Sequence, residues 1–220
     1  MAAKNVVLTF DDACRSHLEF VVPVLQKYGF GATFFISVPE RWYTEFPGAF
    51  LSGEEIFEIH RLGFEIGNHT LNHPGLREKC DAECRFELSS LNEFLAKYGI
   101  TAPVSFAYPG GPYAANAAAI LPEFGLRFAR TTEHDIWIKD KTDPLQIPCF
   151  AITDKDEANF HQALELLNDG GDDRAAVILY HGVPDEAHPW CNTSPELFEK
   201  HMQYLKENGY TVISMAEFGR

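Results

Sequence analysis

No stretch of this sequence is apolar for long enough to cross a bilayer, and no basic segment leading into an apolar one precedes the first strand-like run. The expectation is a cytoplasmic protein without membrane insertion, or a secreted one from which a signal was removed. Basic residues are scarce: 18 Lys and Arg stand against 32 Asp and Glu, a formal net charge of −14. That imbalance repels a nucleic-acid backbone or an anionic membrane surface, so no nucleic-acid partner is expected. Cysteine is sparse as well, with five residues at spacings that make no disulfide framework. Cys84 continues through Leu88, Leu91, Leu95 and Tyr98 in steps that mark one helical face, and Cys80 falls one turn earlier. Both are expected as small core hydrophobes. Linkers, repeats and low-complexity tracts are also missing, which leaves one domain over residues 1–220.

What is present is an ordinary globular mixture, 45% hydrophobic and 13% aromatic, in a chain long enough for one sizeable core. Short apolar runs suited to strands fall at 5–10, 32–38, 64–67, 104–107, 127–131, 146–152, 175–180 and 211–214. Helical patterns lie between them at 16–28, 52–62, 82–98, 114–124, 157–168 and 195–208. Gly29, Gly63 and Gly209 supply helix stops, and Thr193 with Glu196 fits a capping box. Alternation of strand and helix predicts a parallel sheet under helices. Seven or eight such units in this length favour an α/β fold, a single-domain distorted (β/α) barrel.

A barrel of this kind gathers chemistry at the C-terminal ends of its strands. Four polar groups fall there: Asp11-Asp12, the segment Asn68-His69-Thr70-Leu71-Asn72-His73-Pro74, Tyr108-Pro109-Gly110-Gly111, and His181-Gly182. His69 and His73 are four apart, so a helical turn would aim both imidazoles at one metal ion. Asp12 is the carboxylate that would complete a three-ligand set with positions left open. A cation there also rationalises two adjacent acids ending the apolar run VVLTFDDAC. Neighbouring carboxylates raise each other's cost of ionising, and a bound cation offsets it. A rival set joins His69 and His73 to Cys80 and Cys84 as a closed structural zinc site. It leaves Asp11, Asp12 and His181 unexplained.

The segments Thr9-Phe10-Asp11-Asp12, Ala32-Thr33-Phe34-Phe35, Ile66 through Pro74, Phe106 through Gly111, and Leu179-Tyr180-His181 together resemble the polysaccharide deacetylases, the NodB-homology family or carbohydrate esterase family four. The resemblance implies a metal-dependent hydrolase of carbon–nitrogen bonds that deacetylates an N-acetylated carbohydrate. It implies Asp12, His69 and His73 as metal ligands, Asp11 as general base and His181 as general acid. Zn2+ is the expected ion, with Co2+, Ni2+ or Fe2+ also compatible. Tyr108, Pro109, Gly110, Gly111 and Leu179 match substrate-side positions, with Gly110 placed to offer a backbone N–H to an oxyanion.

Three departures stand out. Ala107 occupies the position of an Arg that pairs with the base, and Arg130 is one candidate replacement. The family's Asp–Trp pair that holds the catalytic His is matched only loosely by Asp135 and Trp137, with Asp154 as another option. Ala13 replaces a usual glycine. A small non-sugar amide as substrate, or a catalytically impaired sugar-binding relative, are the alternatives. Trp42, Trp137 and Trp190 are candidates for stacking on sugar rings. Cys14 is expected as a buried bystander, and His17, His60, His161, His188 and His201 as surface or packing residues.

Overall fold

Side-chain alternation along the strands sorts the residues of the central sheet into a barrel interior and a helix-covered exterior. The computed structural model describes residues 4–101, 103–171 and 173–218. Nine strands, β1 (Asn5–Asp11), β2 (Thr33–Ile36), β3 (Glu65–Asn68), β4 (Ser105–Ala107), β5 (Phe128–Arg130), β6 (Trp137–Ile138), β7 (Phe150–Ala151), β8 (Arg174–Tyr180) and β9 (Thr211–Ile213), form one sheet. Its order is β5-β4-β3-β2-β1-β8-β6, with β7 on β8 and β9 beside the start of β1. All pairings are parallel except β6 with β8. An Arg130–Ile147 bridge next to β5 and the short β7 against β8 bring the two edges towards each other. The result is the distorted, incompletely closed barrel that the strand–helix alternation predicts.

Val6, Leu8 and Phe10 of β1 and Ala176, Ile178 and Tyr180 of β8 point outward into the main core. There they meet α1 (Val22–Tyr28), α3 (Gly53–Arg61), α4 (Asp81–Lys97), α6 (Ala158–Asn168) and α7 (Pro195–Glu207). Two shorter helices are α2 (Glu40–Glu45) and α5 (Ala115–Ile120). The alternate residues Val7, Phe35, Ala107, Val177 and Leu179 fill the interior. The same parity carries Asp11, His69 and His181 inward at the ends of β1, β3 and β8. At the opposite pole Glu65 closes the barrel, its carboxylate accepting from Ser105 Oγ (2.5 Å), Thr33 Oγ1 (2.6 Å) and the Ala216 N–H (2.7 Å).

Prolines account for most departures from the expected elements. The helix expected at 16–28 opens with a π-turn over His17–Val21, and α1 proper begins beside Pro23, which has no N–H to donate. Pro122 likewise leads the 114–124 segment from α5 into a 3-10 turn. Pro148 interrupts the strand expected at 146–152, leaving only Phe150–Ala151. Helix α2 and the two-residue β6 were not expected.

Two smaller expectations are corrected. Cys84 is fully buried, but Cys80 is exposed, because α4 starts at Asp81 and leaves Cys80 at its N-cap. The Thr193–Glu196 capping box does not form. Ser194 is the N-cap of α7 and Thr193 Oγ1 donates to Ile152 O (3.0 Å). The Ser194 N–H is met instead by Asp154 Oδ1 at 2.8 Å. No helix of the described residues is long and apolar enough to cross a membrane.

Candidate active site

At the C-terminal pole of the strands lies a cavity of 590 Å³, walled by Asp11, Asp12, His69, His73, Arg130 and His181 among others. β1 delivers Asp11 and then turns sharply, with Asp12 (φ 75°) and Ala13 (φ 53°) both left-handed. Ala13 thus adopts the conformation that glycine would take at no steric cost. Thr70 (φ 66°) and His73 (φ 54°) are left-handed too, so four of the six such non-glycine residues among those described border this site. Strain collected at one place is characteristic of functional sites.

His69 and His73 converge from a loop, not from the helical turn that their spacing suggests. Their neighbours tie that loop down. Asn68 Oδ1 accepts the Thr70 N–H (2.9 Å), Thr70 Oγ1 accepts the His73 N–H (3.1 Å), and Asn72 bonds Glu87 through both its backbone and its side chain. Ser37 Oγ donates to His69 O at 2.6 Å. His69 Nδ1 donates to the Ala107 carbonyl (2.7 Å), which leaves its Nε2 bare and facing the cavity.

The three ligand-type atoms form a tight triangle. His69 Nε2 and His73 Nε2 are 3.2 Å apart, and Asp12 Oδ1 lies 3.7 Å from the first and 3.5 Å from the second. Donors bound at about 2.1 Å around a tetrahedral zinc ion stand about 3.4 Å apart. Asp12 Oδ1 is buried and has no hydrogen-bond partner among the described residues. Burial and the adjacent Asp11 charge push the Asp12 carboxyl well above its ordinary pKa, a penalty that a cation removes. Burial also lowers His69 to about 4 and His73 to about 3, keeping both imidazoles neutral as metal ligation requires. The residues therefore fit a divalent metal. The rival set does not assemble, since Cys80 is exposed and Cys84 contacts Asn116 on the helix side.

Asp11 has a different environment. Arg130, fully buried, donates from Nη2 to Asp11 Oδ2 at 2.5 Å. Burial works against the Asp11 charge, but Arg130 together with His69 and His181 outweighs it and holds the carboxyl below its usual range. Arg130 also lies over the Phe35 ring, 5.4 Å from its centroid. Gly67 makes room for that ring, since a Cβ there would come within 2.5 Å of it. His181 Nε2 stands 3.8 Å from Asp12 Oδ2, and the His181 carbonyl accepts from His17 Nε2 (3.0 Å).

Gly110, Gly111 and Leu179 line the cavity as expected positions. Tyr108 does not. It shares the outward parity of Phe106, packs on that ring and donates to Leu145 O, and Pro109 is likewise outside the lining. Trp137 pairs with Ala175 at the start of β8, the pole away from His181, and stacks on Phe218. Asp135 accepts its own neighbour's N–H at Ile136, and Asp154 is engaged by Ser194 and Asn192. None of the three holds His181. Trp42, on α2, and Trp190, 67% exposed, do border the cavity. So do Arg41, Thr132, His188 and Cys191, which the sequence reading did not select. His188, read as a surface or packing residue, sits instead on the site's wall, on the loop that begins at His181.

Fold and site define a (β/α)-barrel protein with a carboxylate–imidazole cluster at the C-terminal pole of its strands. The polysaccharide deacetylase family profile matches residues 1–129, and the chain belongs to that family. It is 30% identical to the Bacillus subtilis protein YlxY over 92% of its length, and 23% identical to a peptidoglycan-N-acetylglucosamine deacetylase of Bacillus cereus over 99% of its length and 89% of that protein's. The chain spans about half the length of two curated relatives it matches, 53% of YlxY and 45% of another B. subtilis protein. Among solved structures, a family 4 acetyl xylan esterase from Clostridium thermocellum with a cobalt ion is 25% identical, with a TM-score of 0.63 over 98% of this chain and 90% of that one. A carbohydrate esterase family 4 pseudoenzyme from Bacillus anthracis shares the fold at 20% identity, with a TM-score of 0.66 over 99% of this chain and 66% of that one.

Proposed function

We propose that this protein is a metal-dependent amidohydrolase that removes the acetyl group from an N-acetylated amino sugar. The observation that carries the reading is the juxtaposition of the Asp12–His69–His73 triangle with a second, Arg-paired carboxylate, Asp11. Asp12, His69 and His73 would hold the divalent ion, zinc or one of its near neighbours. When bound, such an ion polarises the amide carbonyl and acidifies a water molecule.

The chain's own side chains do the rest. Asp11, kept ionised by Arg130, accepts the proton of the attacking water. The Gly110 N–H, at the cavity wall, donates to the oxygen that becomes negative as the tetrahedral centre forms. His181 gives a proton to the departing amine. Burial lowers its pKa against the pull of Asp11 and Asp185, which makes it a stronger acid. Trp190, 67% exposed, offers a flat apolar face suited to that of a sugar ring, while Trp42 is buried on the cavity wall against Phe50. Turnover assayed over a panel of N-acetylated sugars and small amides, with and without chelator, tests the reading. Release of acetate only from sugars, and only with metal, supports it. Activity confined to non-sugar amides would replace the substrate class, and inactivity on every amide would favour a binding protein.

A further inference from the structure

A second group of ligand-type side chains lies on the wall of the same cavity and is unused by the deacetylation chemistry. The loop after His181 carries Asp185, His188 and Cys191 at steps of three residues. Asp185 is 4% exposed, and His188 and Cys191 are 9% exposed each. One ligand atom from each lies within 4.8 Å of the others.

Asp185 has its two oxygens in different service. Oδ1 accepts the His188 N–H (2.7 Å) and shapes the loop's own turn. Oδ2 faces His188 Nδ1 at 3.4 Å, Cys14 Sγ at 3.5 Å and Cys191 Sγ at 3.9 Å, with the Gly182 N–H at 3.4 Å. His188 Nδ1 is buried without a hydrogen-bond partner among the described residues. No lysine or arginine among the described residues pairs with Asp185, so this buried carboxylate has no permanent positive partner. Imidazole, carboxylate and thiolate are zinc ligands, and such donors around a tetrahedral ion stand about 3.3–3.8 Å apart. The spacings around Oδ2 fall in or next to that range. A separate cavity of 150 Å³ reaches Cys14 and Asp185, offering a route to the group that does not cross the Asp12 site.

We propose that Asp185, His188 and Cys191 bind a second divalent ion of the zinc class beside the Asp12–His69–His73 centre, with the fourth position left open. Binding releases the Cys191 thiol proton to solvent as its sulfur becomes a thiolate. The ion fixes the loop that presents Trp190 at the cavity mouth. The proposal does not depend on deacetylation.

Cobalt titration of the chelator-stripped full chain tests it, read by elemental analysis and by the near-ultraviolet thiolate-to-cobalt band. The Asp12 centre has no sulfur and cannot give that band. Two cobalt ions per chain with the band are expected. An Asp12→Ala/His73→Ala variant is expected to keep one ion and the band, and Cys14→Ser/Cys191→Ser to lose the band and keep one ion. One ion without the band in the wild type overturns the proposal, and would mean that His188 simply pairs with Asp185. Persistence of the band in the folded double-serine variant also overturns it. One ion with the band supports this site and counts against the Asp12 centre instead. The wild-type titration decides even if a variant fails to fold.

Discussion

Arg130 is the register partner of Ala107 across the parallel β4–β5 ladder, and from there it reaches Asp11. Register partners in a parallel sheet point to the same face. The guanidinium that the family resemblance leads one to expect at Ala107 has its counterpart on the adjacent strand, on the same side of the barrel. Arg130→Ala leaves Asp11 buried without its counter-charge, and should destabilise the fold by about 3–5 kcal/mol while lowering turnover. The informative variant is Arg130→Ala combined with Ala107→Arg, which returns the arginine to β4. It should recover turnover relative to Arg130→Ala alone. Calorimetry and acetate release check both, and a double variant no better than the single one would disconnect Arg130 from the base.

Trp190 is the most exposed large apolar side chain at the cavity mouth. If it stacks on substrate, Trp190→Ala should raise KM by roughly 3- to 10-fold, the equivalent of about 0.5–1.5 kcal/mol, with kcat nearly unchanged. Steady-state kinetics on an acetylated oligosaccharide measures this. An equal fall in kcat at constant KM would place Trp190 outside substrate binding.

Glu65 closes the far pole of the barrel, and its three donors make no other hydrogen bond as donors among the described residues. Glu65→Ala should cost about 1–3 kcal/mol of stability, because buried hydroxyls and an N–H lose their partner. KM should stay constant, since the residue lies at the opposite end of the strands from the site. Urea unfolding with parallel kinetics provides the check.

Asp154 supplies a pH-dependent term away from the cavity. Burial raises its pKa, but the bonds from Ser194 and Asn192 together prevail and hold it below the usual carboxylate value. A depressed folded-state pKa means that its contribution is present above the unfolded value of about 3.9. The contribution is lost as pH falls through the folded pKa. Asp154→Asn should therefore unfold at lower temperature than the wild type at pH 7, and the difference should close once pH falls through the depressed folded-state pKa. A gap independent of pH would contradict the assignment.

The barrel and its reactive pole were legible because strand alternation and strand-end position are one-dimensional signals. Asp11, His69 and His181 lie where period-two counting from the apolar runs puts them, whereas Asp12, one residue out of phase, is brought to the site by its left-handed backbone (φ 75°). Tyr108 shows the limit, since a strand-end aromatic can face either way and only the outward parity of Phe106 decides it. Trp137 was misplaced for a related reason. Its two-residue antiparallel strand has too few residues to display a period, and its pairing with the start of β8 sends it to the wrong pole. The helical geometry assigned to His69 and His73 failed because a spacing of four carries no information about backbone hand, and both Thr70 and His73 are left-handed. Asp185, His188 and Cys191 went unselected because nothing in HGVPDEAHPWC announces that the loop folds back over the cavity.

The central claim is that the Asp12–His69–His73 centre holds the ion on which hydrolysis depends, with Asp11 acting beside it. The most direct measurement follows metal content and acetate release together in the wild type, Asp11→Asn and His69→Ala. The account predicts that Asp11→Asn keeps its metal and loses turnover, that His69→Ala loses both, and that chelated wild type regains activity when Zn2+ or Co2+ is returned. Undiminished turnover in Asp11→Asn, or wild-type activity that ignores the chelator, would contradict it.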